Sequence, residues 1–282
     1  MDRDRNISRN VRGDTLVPSF DSDGVKIHFE DQGSGEPAIL VHGFASRAEH
    51  NWGLTGWYKA LTPHYRVIAL DCRGHGQSDK PHDVDAYGGE MMGNDVLCLM
   101  DHLGVARALL MGYSMGGHIA MGLLAHHRER FRAVVLGGIG LGGELSRPEA
   151  RDRIVAALLA DDPSKIAEER GRQFRQFAEA NKNDLKALAA CMGSNRPQIP
   201  LADFTHNSVP VLVVIGTKDD VSGSQQLVAA IPHARLLKLE GRDHLNAPGD
   251  RNYHQAVLKF FGTAPKQVRY VSRGKARVPD KK

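Results

Sequence analysis

The chain has 282 residues, 41% hydrophobic and 25% charged, with a formal net charge of +4. This is the composition of an ordinary soluble globular protein, long enough to bury a large core as one α/β domain or two modest ones. The positive charge is local. From Thr263 to Lys282 seven basic residues (Lys266, Arg269, Arg273, Lys275, Arg277, Lys281, Lys282) face one acid, Asp280, a local +6 that leaves the body at −2. A nearly neutral body gives no electrostatic footprint for nucleic acid, and none is expected as a partner; the tail reads as a solvated basic extension.

Cys72, Cys98 and Cys191 are odd in number and lie in or beside apolar runs, which fits reduced thiols in a cytoplasmic protein. The charged start, Met1-Asp2-Arg3-Asp4-Arg5, carries no signal-peptide pattern, and no apolar run is long enough for a membrane span.

Residues 1–20 are polar and patternless, an expected irregular leader. Val25 to Glu30 alternates apolar and polar, as a half-exposed antiparallel strand does. Ala38-Ile39-Leu40-Val41 and Arg66-Val67-Ile68-Ala69-Leu70 read as strands buried on both faces. The first stops at His42-Gly43-Phe44, followed by a loop of small and polar residues toward Trp57. The second runs into the glycine-rich Asp71-Cys72-Arg73-Gly74-His75-Gly76-Gln77-Ser78. A helix is predicted from Gly89 to Leu103. Next come a strand ending in Gly112-Tyr113-Ser114-Met115-Gly116-Gly117, a helix to His127, and the buried strand Ala133 to Gly137.

Strands and helices alternating with short loops imply a mostly parallel, twisted sheet with helices on both faces. Between residues 142 and 200 the pattern breaks into helices predicted at Pro148–Leu159, Pro163–Ala180 and Asp184–Met192, a helical cap placed to cover a ligand crevice. Sheet order resumes at Pro210 to Gly216, then a helix from Ser222 to Ala230, a strand from Arg235 to Glu240 and a closing helix over 250–261. The expected division is a core of 21–141 and 201–262, a cap of 142–200 and a basic tail of 263–282.

Gly-x-Ser-x-Gly between strand and helix is the nucleophile-elbow pattern. It puts Ser114 on a tight turn, with Gly112 and Gly116 keeping side chains out of the space where strand and helix nearly touch. A serine hydroxyl needs a base to take its proton, and the base needs an acid to fix its tautomer. Three strand tips supply these types in chain order: Ser114, Asp219 and His244.

With Asp71 to Ser78, Gly216-Thr217-Lys218-Asp219 and Gly241-Arg242-Asp243-His244, these motifs make the chain resemble α/β-hydrolase-fold serine hydrolases over about residues 24–262. The resemblance implies an esterase-like enzyme with a small helical cap, Ser114 as nucleophile, Asp219 as orienting acid and His244 as general base. It also implies an oxyanion hole from the backbone N–H groups of Phe44 and Met115. Asp220, beside Asp219, is the alternative acid if the turn register shifts, and His118 is poorly placed as a base. His42 is expected to support the oxyanion loop, and Arg73 to brace the sheet edge rather than meet substrate.

The resulting expectation is hydrolysis of small to medium carboxylic esters through an acyl-enzyme, with no cofactor and no metal. Carbon–carbon bond hydrolysis of diketone-type acids, lactone or thioester cleavage and perhydrolysis stand as alternatives in the same fold. A ligand receptor is the non-enzymatic one.

Overall fold

Apolar runs that lack alternation become the central strands of one eight-stranded sheet, because each is covered on both faces. In the computed structural model, which describes residues 18–264 except 89, 196 and 197, the strands are β1 (Ser19–Ser22), β2 (Val25–Gly33), β3 (Glu36–Val41), β4 (Tyr65–Leu70), β5 (Ala108–Tyr113), β6 (Phe131–Gly137), β7 (Val211–Gly216) and β8 (Ala234–Leu239). Their spatial order is β1-β2-β4-β3-β5-β6-β7-β8. β2 pairs antiparallel with β1 and β4, and every pairing from β4 to β8 is parallel.

The two-residue period of the strands sorts their side chains between the faces. Ile39, Val41 and Leu110 join one core with α2 (Met91–His102), α3 (Met115–His126) and α7 (Val221–Ala230). Leu40, Leu109 and Met111 join the other with α1 (Trp57–Leu61) and α8 (Arg251–Thr263). Between β6 and β7, helices α4 (Pro148–Leu159), α5 (Glu169–Ala180) and α6 (Leu185–Gly193) pack on each other around Ile154, Leu158, Ala178, Leu188 and Met192, and reach the sheet side at Phe44 and Ala45.

Three expectations need adjustment. The expected leader ends at residue 20, but strand β1 begins at Ser19; Ser-Phe-Asp-Ser offers a single large apolar side chain, too little for a periodic signal. The expected loop toward Trp57 holds a turn of π-helix over Glu49–Gly53 and gives way to the five-residue helix α1, anchored by buried Trp57 and Leu61. The middle cap helix does not start at Pro163. One turn over Pro163–Lys165 ends, the chain extends through Ile166, and the Glu168 carboxylate caps α5 by accepting from the Arg170 and Gly171 N–H groups. Residues 1–17, and the tail from 265 onward, lie outside the described residues.

Candidate active site

The turn after β5 has the strained geometry that its glycines predict. Ser114 holds φ 54° and ψ −114°, outside the regions open to ordinary L-residues. A β-carbon on Gly112 would fall on the Gly116 carbonyl, and one on Gly116 would fall on that of Val41 in β3. The turn is further fixed by the Ser114 N–H, which donates to the Gly137 carbonyl at 2.8 Å, and by the His118 N–H, which donates to the Ser114 carbonyl at 3.0 Å.

Loops after β5, β7 and β8 bring Ser114, Asp219 and His244 together, although 130 residues separate the first from the last. His244 Nδ1 lies 2.6 Å from Asp219 Oδ2, and His244 Nε2 lies 2.9 Å from Ser114 Oγ. An ionised carboxylate can only accept, so Nδ1 carries the proton of the neutral ring, and Nε2 offers its lone pair to the serine hydroxyl. Burial acts most strongly on Asp219 and would raise its pKa. The hydrogen bond and charge of His244, the Asp220 N–H and the positive charge of Arg170 outweigh it, and the carboxyl ends below its ordinary value. Asp220 turns elsewhere and accepts from the Ser222 and Gly223 N–H groups at the start of α7. His118 is exposed on α3.

The loop after β3 lies against the turn; a β-carbon on Gly43 would stand 3.4 Å from Ser114 Cβ. His42, fully buried, locks it. Its Nδ1 donates to the Gly43 carbonyl at 2.7 Å, and its Nε2 accepts from the Cys72 N–H at 2.9 Å. Asn51 Oδ1 accepts the Gly43 N–H at 2.9 Å, a support that the sequence did not flag. Among the described residues no acceptor meets the Phe44 N–H. Met115 opens α3, where N–H groups have no partner within the helix. Phe44 packs its ring 5.9 Å from that of Phe174, so α5 meets the loop after β3 beside these amides.

Arg73 is only 5% exposed and pairs with Asp95 through Nε and Nη2 at 2.8 and 2.6 Å, while Nη1 donates to the Ala86 carbonyl. It is held in the brace and not offered to a ligand. Among the described residues no group of three His, Cys, Asp or Glu side chains could hold a metal ion, and no helix is long and apolar enough to cross a membrane.

A family model for the alpha/beta hydrolase fold matches residues 37–164. The chain is 32% identical over 222 residues to 3-oxoadipate enol-lactonase 2 of Acinetobacter baylyi, spanning 70% of this chain and 80% of that protein. It is 28% identical to a 2-hydroxy-6-oxononadienedioate/2-hydroxy-6-oxononatrienedioate hydrolase of Burkholderia vietnamiensis, over 77% of this chain and 83% of that one. The crystal structure of the enol-lactonase from Burkholderia xenovorans superposes with a TM-score of 0.71 at 25% identity, covering 87% of this chain and all of that one. With the elbow, the sheet order and these relatives in agreement, the chain belongs to the alpha/beta hydrolase family.

Proposed function

We propose that this hydrolase cleaves small to medium carboxylic esters through an acyl-enzyme on Ser114. The observation that carries the reading is the unbroken relay of 2.9 and 2.6 Å from hydroxyl to imidazole to carboxylate at the tips of three strands. Ser114 Oγ attacks the carbonyl carbon as its proton passes to His244 Nε2, and Asp219 stabilises the imidazolium. The carbonyl oxygen takes up negative charge facing the N–H groups of Phe44 and Met115, each worth about 3 kcal/mol when well aimed. Nε2 then protonates the departing alcohol. Water, deprotonated by the same nitrogen, releases the acid and restores the serine. These steps need no coenzyme or metal.

A second reading stays within this chemistry. A lactone is a cyclic ester whose alcohol remains tethered after the ring opens, and two of the relatives above are enol-lactonases. The helices of residues 142–200 serve as the lid in both cases, with Phe174 on Phe44 as their contact nearest the amides.

Ser114→Ala tests the assignment. Ester turnover should fall on the order of 10⁴- to 10⁶-fold in a folded protein. A serine-directed phosphonate should add once per chain, at Ser114. Turnover near that of the parent, or an adduct mapped elsewhere, rules the nucleophile out. A panel of open-chain esters, lactones and a diketone acid then separates the substrate classes by kcat/KM.

A further inference from the structure

His244 stands on a loop bonded largely within itself, where Asp243 Oδ1 accepts the Leu245 and Asn246 N–H groups and Asn246 Oδ1 accepts the Asp243 N–H. The His244 side chain is 40% exposed, and the next residue, Leu245, is 74% exposed, so packing does not fix the base where the relay needs it. One buried group reaches this loop from the other side of the site. Tyr113, the last residue of β5 and the neighbour of Ser114, donates its hydroxyl to the His244 main-chain carbonyl at 2.6 Å. The two rings lie 5.3 Å apart between centroids.

The sheet makes this contact a costly one to arrange. β5 and β8 are separated by β6 and β7, a distance of about 14 Å at the usual strand spacing. The tyrosine crosses part of that gap over the end of β6, where Gly137 and Gly138 leave the space open. A β-carbon on Gly137 would stand 2.8 Å from Tyr113 Cδ2, and one on Gly138 would stand 2.9 Å from its Cζ. Burial above all, with the charges of Asp219 and Asp243, holds the phenol well above its ordinary pKa, so it stays a donor.

We propose that Tyr113 is a positioning residue, whose hydroxyl ties the loop bearing the base to the residue beside the nucleophile and so sets the approach of His244 Nε2 to Ser114 Oγ. The inference rests on the reading of Ser114 and His244 as nucleophile and base. Phenylalanine would keep the ring and the packing but release the carbonyl, and misplacement of a reacting group by about 1 Å can cost on the order of 10²-fold in rate.

Tyr113→Phe is therefore compared with the parent, with Tyr253→Phe and with Ser114→Ala. Tyr253 is the control because its buried hydroxyl has no hydrogen-bond partner among the described residues and stands against the same glycine, Gly137. For Tyr113→Phe the expected result is kcat lower by about 10- to 100-fold, KM within about twofold, and phosphonate addition slowed by the same factor as kcat. Titration should still reach one site per folded chain. A merely structural tyrosine would reduce the number of titratable sites and leave the rate at each unchanged. Parent-like rates per site in Tyr113→Phe, or an equal slowing in Tyr253→Phe, overturn the proposal. Full turnover in Ser114→Ala would mark a different failure, that of the catalytic reading itself.

Discussion

Ser114 carries a backbone strain of about 1–3 kcal/mol, and the residues around it exist to hold that conformation in place. With positive φ the hydroxyl stands 2.9 Å from His244 Nε2. The strain persists because Gly112, Gly116 and the Val41 carbonyl form a contact with no room for a methyl group. Gly116→Ala would press a β-carbon on main-chain atoms of β3, which cannot rotate away as a side chain could. The expected loss is about 3 kcal/mol or more, the upper end of overpacking effects, measured as a lowered urea midpoint with an unchanged slope. Stability equal to the parent's would mean that strand and helix can part at this point. The same scale explains what motif reading reaches and what it misses. Ser114, Asp219 and His244 each follow an apolar run, so their places at strand tips were legible. The Tyr113 hydroxyl acts across 131 residues and Asn51 across eight, within a stretch with no periodic pattern, and neither lies in a spacing that marks it.

Among the elements, the helical insertion was the least legible, because a charged residue there has no fixed meaning. Arg175 reads as one more cation on a polar helix. In the fold it is 8% exposed, and its Nη1 lies 3.0 Å from each of the Ala157, Leu158 and Ala160 carbonyls, at the end of α4, while Nε pairs with Glu179. It thus closes α4 from α5, supplying the donor that the terminal carbonyls of a helix lack. The central strands had no such ambiguity, since burial on both faces selects unbroken apolar runs. Arg175→Ala would strip these carbonyls of a partner at a cost of about 1–3 kcal/mol, local to the insertion. Amide hydrogen exchange should quicken about tenfold or more across residues 148–180 and stay unchanged in β3, β5 and β6. Uniform quickening across the sheet would show that the three helices and the core open as one unit, and would count against a lid that moves independently.

At the scale of the whole molecule, acid should find the fold vulnerable before the carboxylates with lowered pKa values begin to titrate. His42 is fully buried, and burial, its dominant influence, lowers its pKa from 6.5 against the opposing pull of Asp71 and the Gly43 carbonyl. Its Nε2 also accepts the Cys72 N–H, a bond that a protonated ring would lose. His50 and His254 are lowered too, again chiefly by burial. Above about pH 6.5 these rings are neutral in both states and contribute nothing to the pH dependence. As the pH falls through that value the unfolded chain binds protons that the native chain refuses, and the native state loses stability. For His42 alone the slope approaches about 1.4 kcal/mol per pH unit until its own folded pKa is reached. Asp184, Asp219 and Asp250 have lowered pKa values, burial opposing and hydrogen bonds prevailing, so their stabilisation is present at neutral pH and fades only below about 3.8. Urea unfolding should therefore give a constant free energy from about pH 8 to pH 7 and a loss of about 1 kcal/mol or more between pH 6.5 and 5.5. A flat profile down to pH 5 would mean that His42 accepts a proton in the native state, and with it that the lock on the loop carrying Phe44 is looser than its two hydrogen bonds imply.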